Sequence, residues 1–257
     1  MSRLLSGAFR SSDTHCPSGG EGVIPRVIHQ IWLGESGGPQ PFPRFREAAA
    51  TWRAQHPGWQ YRLWDGAEVD QLFASARPDL HALYRAYPHW VQRADAARYL
   101  ILHEHGGVYA DLDIQCVGSF DTVADADLLL APTAPFGLSN DLMAATPGHP
   151  LFTCLLDELA TSHRLWGRPW VPRHFQIMCG TGSLFLSRVF ARLDAGTSVR
   201  LLTSGEYGHG SADEALVHHI EGNSWAGWDT KALVFLQDRW PFLMVGTLIL
   251  IAVLASP

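Results

Sequence analysis

Residues 92–113 read QRADAARYLILHEHGGVYADLD and contain the clearest change of periodicity in the chain. Apolar residues first recur every three to four positions, which predicts a helix over residues 89–105. Gly106 and Gly107 then provide the stop signal that helices commonly end on. The following apolar run, residues 107–112, predicts a buried strand. A helix that runs directly into a buried strand is typical of a layered α/β fold.

Two carboxylates follow this strand. Asp111 and Asp113 flank Leu112, and side chains at positions i and i+2 point to the same face of a strand. We therefore expect both carboxylates to project from the carboxyl end of the sheet, where open α/β sheets bind ligands. Adjacent carboxylates repel each other and favour a hard divalent cation, held together with substrate phosphates. The alternative for a bare DxD is a solvated turn after the strand.

The same helix carries a second charged pair. Asp95 and Arg98 are three positions apart and share a helix face. They predict either a simple helix ion pair or a polar group directed at a sugar or phosphate. Gly106 and Gly107 would also let a nucleotide or another backbone segment approach closely.

Strand and helix patterns alternate through the rest of the chain, which supports the α/β fold class. Strands are predicted at residues 23–34, 59–64 and 127–131. Further helices are predicted at residues 44–56, 66–75, 78–86, 150–161 and 183–193.

Composition narrows the function classes. The chain has 257 residues, of which 47% are hydrophobic and 17% charged, so disorder is excluded for most of it. Its net charge of −6 provides no broad basic field, which argues against nucleic acid as a partner. The four cysteines share no metal-ligand spacing.

The two ends differ from the centre. Residues 1–22 lack an apolar run and are predicted to form a flexible arm, not a signal peptide. Residues 239–257 are apolar and are predicted to form either a membrane-associated C-terminal helix or a buried segment. As a helix, residues 240–257 would span roughly 27 Å, marginal against a hydrocarbon core of about 30 Å. The abrupt end of this run predicts that the natural chain extends further.

At this point the residues resemble a known family. The 92–113 segment closely resembles the DxD region of glycosyltransferase family 32. The resemblance to the mannosyl inositol phosphoceramide synthase branch of that family rests mainly on the block at residues 180–187 and on the AYPHWVQRADA run at residues 86–96. Four more blocks match in order: IPRVIHQIW (24–32), SNDLMAATPGHP (139–150), GTGSLFLS (180–187) and HHIEGNSW (218–225). In the third block Ser183 stands where Pro is usual. The resemblance implies a GT-A-like nucleotide-sugar transferase fold over residues 23–238.

The resemblance also implies roles for individual residues. Asp111 would contact the ribose and assist the metal, Asp113 would bind the metal directly, and His219, in preference to His218, would complete the metal site. Asp95 and Arg98 match sugar- and phosphate-binding positions.

The remaining roles fall on the other blocks. Trp32 would stack on the nucleobase, although a core aromatic is the alternative. Asn140 and Asp141 would lie near the donor sugar, with Asp141 among the catalytic residues, unless they form an Asx turn. Ser224 and Trp225 would close over the diphosphate.

The function implied is a retaining, Mn²⁺- or Mg²⁺-dependent glycosyltransferase. It would move a hexose, with GDP-mannose as the preferred donor, onto an inositol phosphoceramide-type glycolipid. The enzyme would be associated with a membrane, in the Golgi or another endomembrane compartment. A regulatory subunit could accompany it, but this sequence contains no feature that would identify one.

Three alternatives stay open at this stage. The first is a glycosyltransferase with another donor and a protein-linked or other glycan acceptor. The second is a non-catalytic, sugar-nucleotide-binding relic of the fold. The third, a DxD phosphohydrolase, is disfavoured because Gln115 stands where an aspartyl-nucleophile enzyme needs Thr or Val.

Overall fold

A computed structural model describes residues 22–33, 41–121, 126–133, 137–193, 198–209 and 214–220. The strands are β1 (Val27–Trp32), β2 (Gln60–Asp65), β3 (Gly107–Ala110), β4 (Ile114–Cys116), β5 (Leu128–Pro132), β6 (Leu138–Ala145), β7 (Val199–Leu201) and β8 (Val217–His219). The helices are α1 (Pro43–Gln55), α2 (Gly66–Ala76), α3 (Pro78–Ala86), α4 (Trp90–His105), α5 (Pro150–Trp166), α6 (Arg173–Met178) and α7 (Ser183–Phe190), with a π-helical turn at Gly205–His209.

One mixed sheet of six strands organises the described residues, in the order β2-β1-β3-β6-β5-β7. Strands β2, β1 and β3 are parallel, whereas β6 runs antiparallel to β3 and to β5. The carboxyl ends of β1 and β3 therefore meet the amino end of β6 at one edge. A small ribbon of β4 and β8 pairs Ile114 with His219 beside that edge.

Alternate residues of the central strands enter two separate cores. Tyr109 and Met143 pack with α4, α5 and α7 on one face, while Val108 and Leu142 pack with Trp52 of α1 on the other. Strands buried on both faces explain why these segments are continuous apolar runs and not alternating ones.

Local chemistry sets the helix ends. Asp65 accepts hydrogen bonds from the backbone of Ala67 and Glu68, and Glu68 accepts one in return, which forms a capping box at the start of α2. Gly106 ends α4 with a φ of 61° and Gly107 has a φ of 86°. A β-carbon at Gly107 would lie 2.6 Å from the Val27 carbonyl oxygen. The glycine pair thus allows close approach of another backbone, one of its two predicted uses.

The α/β prediction is confirmed, and the predicted helices correspond to α1 to α5 and α7, although α5 extends five residues beyond its predicted end and α7 stops three residues before it. One local prediction is wrong. The β3 strand ends at Ala110, so Asp111 and Asp113 lie in a turn, closed by a hydrogen bond from the Ile114 N–H to the Asp111 carbonyl. The Asx turn, which was the alternative for Asn140 and Asp141, is also not formed, because both residues lie within β6.

Some predictions fall outside the described residues: the arm up to residue 21 and the apolar C-terminal segment, so the predicted domain bounds stay predictions. Of the helices that the structure describes, none combines the length and the apolar character that crossing a bilayer requires.

Candidate active site

A cavity of about 370 Å³ opens at the sheet edge where β1 and β3 end and β6 begins. One side of it is polar, and the other side is formed by apolar and aromatic residues of β1, α1, α4 and α6. The polar lining residues are Asp95, Arg98, Asp111, Asp113, Thr133, Ser139, Asn140, Asp141, Ser183 and His219.

The turn after β3 places both carboxylates of the DxD on this cavity. Leu112 between them is 8% exposed and packs against Phe45 and Ala49 of α1. The Asp111 N–H donates to the Asp141 carbonyl oxygen at 2.8 Å, and the Ile220 N–H donates to the Asp113 carbonyl oxygen at 2.8 Å. A buried leucine and two backbone hydrogen bonds therefore fix the turn.

Arg98 is the central cation of the site. Its guanidinium lies 3.1 Å from Asp111 and 3.3 Å from Asp95, and it donates to the Asn140 carbonyl oxygen at 2.7 Å. Burial disfavours its charge, but the negative groups around it, Asp111 first, outweigh that cost and hold its pKa above the usual value. The pair of Asp95 and Arg98 is thus more than a surface helix ion pair.

Asp95, Arg98, Asn140 and Thr181, here called the inner network, are almost fully buried. Asp95 accepts hydrogen bonds of 2.8 Å from the Asn140 amide and from the Thr181 hydroxyl. The network therefore ties α4 to β6 and to the segment before α7. Its polar groups are satisfied within the protein, as a buried charge requires.

A bulge in β6 brings consecutive residues to the same cavity. Along β5 the pairing passes from Leu130 opposite Met143 to Ala131 opposite Ser139. Asn140 and Asp141 fall in the skipped stretch, and both line the cavity. Bulges near active sites commonly redirect side chains in this way.

Asp113, Asp141 and His219 form a second set, here called the outer cluster. His219 Nδ1 lies 3.9 Å from an Asp141 carboxylate oxygen. The hydroxyls of Tyr207 and Ser139 donate to Asp141 at 2.7 Å and 2.6 Å. His219 lines the cavity, which His218 does not.

Charge repulsion characterises the carboxylates of the site. Burial raises the pKa of Asp111 to about 7, with Arg98 opposing the rise and Asp113 and Asp141 adding to it. Burial also raises the pKa of Asp113, with Asp141 adding to the rise and His219 opposing it. Repulsion of this kind is relieved by a cation.

The donor set suits a divalent metal ion. Carboxylate oxygens and an imidazole nitrogen match Mn²⁺, and carboxylates alone match Mg²⁺. Among the described residues, no group of three or more His, Cys, Asp or Glu side chains is arranged to hold a metal ion by itself. An open set fits Mg²⁺, which proteins usually bind through one or two carboxylates and substrate phosphates.

Trp32 ends β1 and lines the cavity opposite the carboxylates. The centre of its ring lies 5.8 Å from that of Phe42 and 6.3 Å from that of Phe45. This placement leaves it a partly exposed aromatic face and not a fully buried core position. Ser224 and Trp225 lie outside the described residues.

Ser183 is the first residue of α7, the position at which helices favour proline. Its hydroxyl lies 3.3 Å from the Asn140 side-chain oxygen. The change from the usual Pro therefore keeps the helix start and adds a polar group to the cavity.

Sequence reasoning missed Tyr207, Ser139 and Trp90. Tyr207 comes from the π-helical turn, 66 positions from Asp141, and no local pattern marks it. Trp90 lines the cavity from the first residue of α4. The one signal for Trp90 in the sequence was its place in the AYPHW run at residues 86–90, which is part of the family resemblance.

Fold and site together define a DXD-type glycosyltransferase of the GT-A class. The family described as "Glycosyltransferase sugar-binding region containing DXD motif" matches residues 43–130. The chain is 35% identical over 235 residues to inositol phosphoceramide mannosyltransferase 1 of Schizosaccharomyces pombe, covering 88% of this chain and 70% of that protein. The chain belongs to glycosyltransferase family 32 and is an enzyme of that family.

Other comparisons agree. Mannosyl phosphorylinositol ceramide synthase SUR1 of Saccharomyces cerevisiae is 31% identical over 84% of this chain and 56% of its own length. Among solved structures, the PaToxG glycosyltransferase superposes with a TM-score of 0.52 at 18% identity, over 66% of this chain and 70% of that one. The UDP-bound glycosyltransferase domain of the YGT toxin gives 0.52 at 8% identity, over 70% and 80%. These likenesses support the fold.

Proposed function

We propose that the chain transfers mannose from GDP-mannose to the inositol head group of an inositol phosphoceramide, with retention of configuration and with Mn²⁺ or Mg²⁺. One observation carries the proposal. The DxD carboxylates Asp111 and Asp113 face an ordered cavity in a chain 35% identical to a protein named as an inositol phosphoceramide mannosyltransferase.

The donor would lie between Trp32 and the carboxylates. Trp32 offers an aromatic face for the nucleobase, and Asp111, held by Arg98, faces the position of the ribose. The Asn140 and Ser183 side chains offer polar groups to sugar hydroxyls. Asn140 belongs to the inner network and Asp111 pairs with its Arg98, so these two groups are positioned before the donor arrives.

Asp113, Asp141 and His219 would contribute ligands to the cation, with Asp111 beside them, and the donor diphosphate would complete the set, since the side chains do not form a metal site by themselves. When bound, the cation supplies Lewis-acid neutralisation of the diphosphate leaving group. The protein contributes the placement of these ligands through the DxD turn and through Tyr207, which donates to Asp141 at 2.7 Å.

No side chain is required as a base in this proposal. The acceptor hydroxyl gives its proton to the departing diphosphate oxygen as the new glycosidic bond forms. Asp141 supports this step as a neighbouring polar group. The open cavity mouth must then be closed to water, a role that the resemblance gives to Ser224 and Trp225.

The lipid acceptor would place the enzyme at a membrane, in the Golgi or another endomembrane compartment. The apolar residues 239–257 and a regulatory subunit are candidates for anchoring it there.

Transfer assays test the proposal. The purified full chain is incubated with Mn²⁺ or Mg²⁺, inositol phosphoceramide in vesicles, and GDP- or UDP-linked sugars in parallel. We expect mannosyl inositol phosphoceramide from GDP-mannose only, no product after chelation, and a product of retained anomeric configuration by NMR.

The Asp113→Asn variant is compared with Asp157→Asn, which changes an exposed α5 carboxylate whose side chain is 61% exposed. Loss of product in the first variant alone supports the metal site. Turnover of a different donor, or transfer to a soluble glycan only, would contradict the substrate assignment. Binding of donors without any turnover would favour a sugar-nucleotide-binding relic.

A further inference from the structure

The end of α5, the connection that follows it and the start of α6 present apolar side chains to solvent. Trp170 is 73% exposed, Leu165 is 54% exposed and Phe175 is 36% exposed. Soluble proteins often expose single apolar residues, whereas three large ones this close together in the sequence call for an explanation. We call residues 164–175 the basic aromatic surface.

Of the charged residue types Asp, Glu, Lys and Arg, this surface contains only basic ones. The surface contains Arg164, Arg168 and Arg173, and no Asp or Glu occurs anywhere from residue 159 to residue 193. Arg164 and Arg168 are exposed, and the Arg168 guanidinium lies 5.3 Å from the centre of the Trp170 ring. Tryptophan beside arginine is typical of side chains that lie at a membrane interface.

The segment is held in place. The Gln176 amide donates to the carbonyl oxygens of Arg168 and Val171 at 3.1 Å and 2.7 Å. The Gln92 amide of α4 in turn donates to the Gln176 carbonyl oxygen at 3.0 Å. Trp170 therefore points to solvent from a turn that hydrogen bonds hold in place and connect to α4.

The surface also continues into the active-site cavity. Phe175 belongs to α6, and Ile177 and Met178 of the same helix line the cavity. Phe175 and Met178 are about 4.5 Å apart along the helix axis. A lipid head group that leaves a membrane at this surface would reach the cavity along α6.

We propose that the basic aromatic surface docks on a membrane leaflet that carries anionic lipids, with Trp170 and Leu165 in the interface and the arginines on lipid phosphates. The charge complementarity with anionic head groups and the path along α6 select this partner. The inference rests on the proposed function only for the identity of the lipid acceptor.

Hydrogen exchange of the full chain tests the proposal locally, without any nucleotide sugar. We expect peptides covering residues 164–176 to gain protection on vesicles of phosphatidylcholine and phosphatidylinositol, but not on phosphatidylcholine alone. The variant Arg164→Gln, Arg168→Gln should bind the anionic vesicles about 25-fold more weakly, since each basic residue contributes about fivefold. Trp170→Ser should also lose the local protection.

Two controls are matched to these variants. Arg26→Gln, Arg62→Gln removes the same charge from exposed side chains elsewhere, and Leu201→Ser removes an apolar side chain that is 52% exposed on β7. Both should keep the local protection at residues 164–176.

Three outcomes would overturn the inference. Unchanged exchange on vesicles would show that the membrane does not cover the surface. Protection that is already complete without vesicles would show that another part of this chain covers it. Protection that rises with protein concentration would assign it to a second copy. Failure of sugar transfer with intact vesicle protection would instead reject the proposed function alone.

Discussion

The inner network and the outer cluster lie side by side in one cavity but differ in how their charges are satisfied. Asp95 is 2% exposed and Arg98 4%, and their groups have partners within the protein. Asp141 and His219 have side chains that are 22% and 31% exposed, and Asp141 adds to the raised pKa of Asp113.

This difference separates two tasks. A satisfied buried network holds backbone segments in register, whereas a cluster with mutual repulsion costs stability and is kept for what it binds. Asp111 links the two, since it pairs with Arg98 and faces Asp113 and Asp141. If the separation is correct, substitutions on the two sides affect different measurements.

Arg98→Leu should have the largest effect on folding. It leaves the Asp95 carboxylate buried without its cation, and breaking a buried pair costs about 3–5 kcal/mol. Urea denaturation measures the loss in the free energy of unfolding. Arg85→Leu, which breaks an exposed pair with Asp70, should cost less than about 1 kcal/mol. Similar losses in both variants would show that the inner network does not hold the fold.

Asp113→Asn should have the opposite profile. We expect kcat/KM for sugar transfer to fall about 10²–10³-fold, which is about 3–4 kcal/mol of transition-state stabilisation. The free energy of unfolding should stay within about 0.5 kcal/mol or rise, because a repulsive charge is removed. Assays of transfer and of urea denaturation are run on the same preparations. A marked loss of stability would place Asp113 among the structural residues instead.

The inner side of the site was the easier one to predict from sequence. Asp95 and Arg98 lie three positions apart in a segment predicted to be helical, so their shared face follows from helix geometry. The DxD position followed from the end of an apolar strand, although the strand stops earlier, because Leu112 turns back to pack on α1. Local patterns thus sufficed where local geometry sets the contacts.

The outer cluster depends on contacts that no local pattern carries. From the sequence, Asn140 and Asp141 were placed near the donor only through the resemblance, with an Asx turn as the alternative, because the pairing of β6 with β3 and β5 and the register shift in it involve residues distant in sequence. The apolar run that follows, Leu142 to Ala145, was the signal for a strand. His219 reaches the site through pairing of β8 with β4, over 100 positions distant in sequence.

The pH dependence of cation binding tests whether the Asp111 carboxylate takes part in it. Its pKa is raised to about 7, so the carboxyl is mostly protonated at pH 6 and a cation must displace that proton. Affinity for Mn²⁺ should therefore rise about tenfold from pH 6 to pH 8 and level off above pH 7, a change of about 1.4 kcal/mol.

Isothermal titration calorimetry in the absence of donor measures this affinity. In the Asp111→Asn variant the dependence should flatten over the same range. A slope that survives the substitution would assign the titration to another group of the site.

Tyr207→Phe should give the smallest effect. It tests whether Tyr207, which is not itself part of the outer cluster, orients the Asp141 carboxylate. The hydroxyl donates to both oxygens of Asp141 at 2.7 Å, while Ser139 donates to one of them. Because Ser139 remains, we expect Mn²⁺ affinity to fall only about fivefold, or about 1 kcal/mol. Tyr87→Phe is the matched control, since its buried hydroxyl has no hydrogen-bond partner among the described residues. Loss of stability without loss of Mn²⁺ affinity would make Tyr207 a packing residue, whereas weaker binding at unchanged stability assigns it the orientation of Asp141.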